Sequence, residues 1–488
     1  MLFNSIEFAF FFPIVTVLFF LLPHKLRWLL LLAASCAFYM YFKPEYILIL
    51  GFIIVIDYWV GIQIDKQDDE RRKKILLIFS LLANLGVLFV FKYFNFVAEN
   101  LNYVLNEFQV KGNIPILHII LPIGLSFHTL QAMSYTIEVS RGKFKAEKHF
   151  GIYALYVMFY PQLVAGPIER PQNLIPQFYQ KKTFEYENAR RGIILIAWGL
   201  FKKMVIADRL GAFVNQVHSM PDGYYTGIPL IISYIACPFQ IYCDFSGYTD
   251  IAIGSAKFMG FDLMTNFKTP MLQPNVNKYW AAWHISLTSW FRDYVYMPFR
   301  KKFFPNAGMW LSILIVLVLS GIWHGANWNF IVWGITNALL VIGFNLLKRN
   351  KYFTFITSRM SDRVGNICTC FAVFFTTVFF RASSVPKAMH MIRDMFKNIY
   401  SQVVLIIKNE HGERLHYLYV KQPFNDFVLA ILLVSGLMIL ESKFMNQNID
   451  SWITKKSKIF RWSFYYSLIT IFLFFAIFKK SDFIYFQF

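Results

Sequence analysis

Apolar segments recur from one end of this chain to the other, and no stretch between them is long enough to hold a water-soluble domain. Hydrophobic residues make up 57% of the sequence and charged residues 16%, against about 25% charged in soluble domains. In a bilayer the backbone must satisfy its own hydrogen bonds, so segments of this length are read as helices. The expected fold is therefore an all-α, polytopic membrane protein, one domain over residues 1–488. Candidate spans are 7–22, 28–42, 46–64, 75–97, 114–138, 151–165, 192–207, 228–243, 245–260, 309–323, 328–347, 366–381, 426–441 and 463–478. Several fall short of the roughly 20 residues that a full crossing needs, so about eleven true crossings are expected, with the rest short or re-entrant helices. The first apolar run has no basic region before it and no small-residue cleavage site after it, so it is expected to remain as the first membrane helix.

The formal net charge is +20. The basic residues cluster in short connections: Arg71, Arg72, Lys73 and Lys74; Arg141, Lys143, Lys145 and Lys148; Lys181, Lys182, Arg190 and Arg191; Lys348, Arg349 and Lys351; and Lys455, Lys456, Lys458 and Arg461. This is the signature of cytoplasmic loops rather than of a nucleic-acid surface. The loops near 66–74, 141–148 and 443–461 are expected on the cytoplasmic side. The loop 98–113 and the tail 481–488 are then extracytoplasmic, despite Lys479 and Lys480. The five cysteines all lie in apolar segments without zinc or disulfide spacing.

The common nucleotide, hydrolase and metalloprotease motifs are missing. Chemistry must come from polar residues inside the apolar runs, where ionisable groups are costly and usually functional. His324 ends such a run, in Ser320-Gly321-Ile-Trp323-His324-Gly325-Ala-Asn327-Trp328. Flanking glycines let backbone approach a ligand closely, and neutral imidazole can act as a general base. A second histidine lies in Trp280-Ala-Ala-Trp283-His284-Ile-Ser286. If that segment is helical, Trp280, His284, Thr288 and Arg292 form one stripe suited to an anionic ligand. The competing reading of His284 is a packed core residue. Neither histidine is followed five residues later by Asp, since positions 289 and 329 are Ser and Asn, which removes the soluble acyltransferase pattern. No metal-ligand spacing accompanies either. Between Gln240 and Asp250 a polar stretch interrupts two apolar segments. Ser246 and Asp250 share a helical face there as candidate ligand contacts, or satisfy one another in a structural kink.

These residues resemble a known family. The chain is similar to membrane-bound O-acyltransferases, in the bacterial alginate/peptidoglycan O-acetylase branch. The resemblance rests on Leu121 to Tyr135, Tyr160 to Arg170, Asp244 to Gly254, Trp280 to Pro298, Leu319 to Trp328, Val378 to Ala382 and the terminal Phe483-Ile-Tyr485-Phe-Gln-Phe488. Ala281-Ala282 departs from it, since relatives often carry charges there. The resemblance implies transfer of acetyl from acetyl-CoA, a co-substrate rather than a tightly bound cofactor, across the cytoplasmic membrane to an exported polysaccharide. It implies an extracytoplasmic SGNH-type partner. It makes His324 the catalytic residue, His284 its assistant and Tyr485 an acyl relay, the competing reading of Tyr485 being an interfacial aromatic anchor. A central tunnel or funnel to His324 is then expected, walled by Trp280, Trp283, Trp323 and Trp328, with Asn327 beside it and Arg292 and Lys301 as candidates for the CoA phosphates. Two other functions compete: D-alanyl transfer to teichoic acid, and a transporter or flippase, for which inverted repeats are expected and not seen.

Overall fold

A computed structural model describes residues 1–110, 112–302, 308–408, 417, 419–445, 447–478 and 483–484, without the side chains of 301 and 302. Every regular element among the described residues is helical. Among the described residues, six helices are long and apolar enough to cross a membrane: Tyr46–Asp65, Glu70–Glu107, Ile228–Phe258, Trp328–Leu347, Asp362–Arg381 and Phe424–Lys443. Ile6–Leu21 and Met309–His324 are shorter apolar helices. The protein is a multi-pass membrane protein.

Backbone contacts group the chain into two compact units, Met1–Ala197 with Tyr248–Thr265, and Trp198–Gly247 with Asn266–Phe488. In the first unit the helix ends follow local chemistry. The Ser5 hydroxyl accepts the Phe8 N–H at the start of Ile6–Leu21, and the Asp69 carboxylate accepts the Arg71 N–H at the start of Glu70–Leu88. The apolar faces alone do not fix how these helices meet. Asp57, fully buried on Tyr46–Asp65, accepts hydrogen bonds from Ser80 at 2.6 Å and Asn84 at 2.8 Å on the next helix. Inside an apolar bundle such bonds select one register, because any other leaves a carboxylate unsatisfied.

In the second unit a helical hairpin, Met309–His324 and Trp328–Leu347, presents His324 at its turn. Glycine sets its spacing. A Cβ at Gly321 would run into the Phe330 carbonyl, and one at Gly334 would sit 2.5 Å from the Leu317 carbonyl oxygen. Asn329 ties the hairpin to Asp362–Arg381, donating to the carbonyls of Phe379 at 3.1 Å and Ala382 at 2.8 Å.

Several sequence expectations need correction. The segments 228–243 and 245–260 are one unbroken helix, Ile228–Phe258. Its polar residues lie along the helix and do not break it, because side chains from other helices meet them. The segment 192–207 is not a plain span. Tyr186–Leu200 passes into a π-helix at Phe201–Ala207 that carries the buried Lys202 and Lys203. The segment 151–165 holds two short buried helices, Phe150–Met158 and Tyr160–Leu163. Helix, rather than loop, continues to Glu107.

The glycine spacing makes a direct prediction. Gly321→Val should lower the thermal unfolding midpoint of the detergent-purified protein, as overpacking costs about 1–3 kcal/mol. Gly343→Ala, where a Cβ meets open space, should leave it unchanged. Equal midpoints for Gly321→Val and wild type would refute the close-packed hairpin.

Candidate functional site

The site is built where the chain cannot continue as a helix. Val276–Ala282 ends and Ile285–Phe291 begins on either side of His284, which adopts a left-handed backbone, φ 43° and ψ 55°. A non-glycine residue held there stores about 1–3 kcal/mol of strain, and such strain concentrates at functional sites. The corner is held by Asn266. Its carbonyl accepts the Ile285 N–H at 2.8 Å and its side-chain oxygen the Ser286 N–H at 3.3 Å. The Thr288 hydroxyl donates to the Trp283 carbonyl at 3.1 Å.

This break removes the expected stripe. Trp280, His284, Thr288 and Arg292 do not lie on one continuous helical face, since the helix is interrupted between Trp283 and Ile285. Arg292 sits on the exposed side, its side chain 62% accessible and paired with Asp293 at 2.8 Å. The strained turn instead buries both His284 and Trp283.

His284 and His324 both contact one indole. Trp323 meets His284 edge-on at a centroid distance of 5.9 Å and His324 at 4.9 Å. His284 also packs against Phe245 at 4.7 Å, and His324 against Trp333 and Phe380, each at 5.3 Å. Both imidazoles are therefore in apolar, aromatic surroundings. His324 opens onto a cavity of about 30 Å³ whose walls include Trp280, Trp283, Tyr279, Trp333 and Phe380. That volume holds one or two water molecules. A larger ligand requires these rings to move. The indole N–H of Trp280 is enclosed and makes no hydrogen bond to the described residues. It is a ready donor for a ligand oxygen.

The other expected residues lie elsewhere. Asn327 starts the helix Trp328–Leu347, its amide donating to the Ser383 carbonyl at 3.1 Å. Trp328 is 54% exposed and does not wall the cavity. Ser246 accepts a hydrogen bond from Lys202 Nζ at 2.8 Å. Asp250 is half-buried and belongs to the first compact unit. Gly325 is extended, and a Cβ there would strike the Phe330 ring. The glycine beside His324 thus serves packing within the hairpin. Tyr485 and the side chain of Lys301 fall outside the described residues, but Phe483 and Ile484 are buried. Phe483 packs on Phe245 at 5.8 Å, the same ring that faces His284.

One charged group escaped the sequence reading. Lys203 Nζ, almost fully buried, bridges Asp208 at 2.9 Å and Asp244 at 2.6 Å. Two adjacent lysines in the middle of an apolar run were the available signal, because such residues must find partners.

Comparison with known proteins agrees with this architecture. The model of the membrane-bound O-acyltransferase family matches residues 87–385, more than half of the chain. The chain is 32% identical to the probable alginate O-acetylase of Pseudomonas aeruginosa, over 81% of its own length and 75% of that protein. It is 29% identical to the peptidoglycan O-acetyltransferase of Helicobacter pylori, over 94% of its length and 91% of the relative. It is 28% identical to the teichoic acid D-alanyltransferase of Bacillus subtilis, over 48% of its length and 62% of the relative. A polytopic helical chain with two buried histidines about one tryptophan, matched by this family across its middle and by O-acetyltransferases over most of its length, is an enzyme that belongs to the membrane-bound O-acyltransferase family.

Proposed function

We propose that this O-acyltransferase takes acetyl from cytoplasmic acetyl-CoA and delivers it across the cytoplasmic membrane for O-acetylation of an extracytoplasmic polysaccharide, alginate-like or peptidoglycan. The observation that carries the reading is His324 opening onto an aromatic cavity, with His284 packed on the same Trp323 ring. Acetyl transfer fits better than D-alanyl transfer, because the peptidoglycan O-acetyltransferase aligns along nearly the whole chain and the D-alanyltransferase along about half.

In this reading His324 is the general base. Its imidazole takes the proton of an acceptor hydroxyl as that oxygen attacks the thioester carbonyl. The C–S bond then breaks, and the departing thiolate takes the proton from the imidazolium. The Trp280 indole N–H, which lines the cavity without a hydrogen-bond partner among the described residues, donates to the carbonyl oxygen as negative charge develops on it. His284 supports the site through Trp323, while Trp283 and Trp280 exclude water. Asn327, Ser246, Asp250 and Arg292 do not enter this step. The acceptor hydroxyl is that of Tyr485, which relays the acetyl group to an SGNH-type partner outside the cell, and the partner passes it to the polymer. The basic loops lie in the cytoplasm, where they attract the CoA phosphates.

Polymer ester content in cells tests the assignments. His324→Ala should lower it about 10²–10⁴-fold, the usual range for loss of a general base, at unchanged protein level. His284→Gln should lower it strongly, and Tyr485→Phe should abolish relay while keeping the ring. Full acetylation by His324→Ala would refute the mechanism, and full acetylation by Tyr485→Phe would remove the relay alone. For topology, a cysteine at position 69 should resist an impermeant thiol reagent in intact cells and react after lysis. Labelling in intact cells would reverse the orientation.

A further inference from the structure

We propose that Asp244 is a positioning residue whose carboxylate, oriented by Lys203, latches the chain at Ile484, next to the aromatic surroundings of His284. The inference rests on the reading that this segment takes part in acyl transfer. The geometry is specific. One carboxylate oxygen of Asp244 meets Lys203 Nζ at 2.6 Å, and the other accepts the backbone N–H of Ile484 at 2.7 Å. All three groups are buried, with Asp244 only 3% and Ile484 2% accessible. A carboxylate held in apolar surroundings by an ammonium makes a strong, short hydrogen bond to an amide. An amide buried without such an acceptor would be left unsatisfied.

The latch is one of three anchors along the same stretch. Arg209 donates to the Phe475 carbonyl at 2.9 Å, and the Ile477 N–H donates to the Met204 carbonyl at 2.9 Å. The π-helix carrying Lys203, with the residues just after it, therefore holds the end of the last long helix and the connection beyond it. Asp244 holds the chain nearer its terminus. Phe483, next to the latched amide, then packs on Phe245, whose ring faces His284. The latch thus fixes Phe483 and Ile484, the described residues that precede Tyr485 in the sequence, against an aromatic neighbour of His284.

The cluster supplies its own control. In Asp244→Ala, Lys203 keeps Asp208 as counter-ion, so no buried ammonium is stranded. In Asp208→Asn, the Lys203–Asp244 pair and the Ile484 hydrogen bond both remain. A merely structural cluster predicts similar effects of the two changes, whereas a latch predicts that they part.

The test is hydrogen–deuterium exchange of the C-terminal peptide in the full-length protein in detergent, paired with polymer ester content in cells. Exchange needs neither donor nor acceptor, so it reads the latch even if the acetylation reading fails. Asp244→Ala should speed exchange at Ile484 about tenfold or more, the loss of one charge-assisted hydrogen bond. It should also lower ester content at least about tenfold. Asp208→Asn should match wild type in both. Ile484→Pro, which removes the donor and leaves every charge in place, should reproduce the loss of ester content if Asp244→Ala fails to accumulate. Unchanged exchange in Asp244→Ala would refute the latch. Fast exchange with full ester content would show a latch that the reaction does not use, and would equally overturn the proposal. Equal effects of Asp208→Asn and Asp244→Ala would reduce the cluster to a structural one.

Discussion

In a chain this apolar, the cost of taking polar and ionisable groups out of water governs the rest of the structure. Apolar faces pack against lipid or against one another with little preference, because lipid tails are as apolar as leucine. A buried charge cannot be so indifferent. Lys203 between Asp208 and Asp244, and Asp57 with Ser80 and Asn84, each admit one arrangement of the segments that carry them. Removing Lys203 would leave buried carboxylates without its charge, a loss that typically costs about 3–5 kcal/mol, whereas losing one of its two carboxylates leaves it the other. The two histidines are each packed among aromatic rings.

The strained corner at His284 turns this constraint towards chemistry. A straight helix from Val276 to Phe291 would have placed His284 and Arg292 on one face. The left-handed turn sends His284 into the interior against Phe245 and Trp323, while Arg292 stays outside with Asp293. In the closely packed hairpin His324 also meets Trp323, at 4.9 Å. The space beside His324 is small, so admitting a ligand larger than one or two waters requires lining rings such as Trp280, Trp283 and Trp333 to move. Gating of that kind commonly sets the turnover of enzymes with closed sites.

Much of this was legible in the residues. The helices Tyr46–Asp65, Met309–His324, Trp328–Leu347 and Phe424–Lys443 agree with their apolar runs almost to the residue, because hydrophobic length is a strong local signal. His324 and His284 stood out as imidazoles in apolar company, and the structure brings them to one tryptophan. What was not legible depended on partners distant in sequence. The corner at His284 is fixed by Asn266, and the polar stretch of Ile228–Phe258 stays helical because Lys202 and Lys203 reach Ser246 and Asp244. The glycines around His324 suggested room for a ligand, yet Gly325 is filled by Phe330. A glycine leaves the same mark in sequence whether a ligand or a side chain approaches it.

If His324 acts on an acyl thioester as proposed, its effect is measurable without polymer or partner. The purified protein is mixed with acetyl-CoA and the release of free CoA thiol is followed in time. The account predicts that wild type releases thiol at least about 100-fold faster than His324→Ala, the low end for loss of a general base. Equal rates for the two proteins, with both folded, would contradict it.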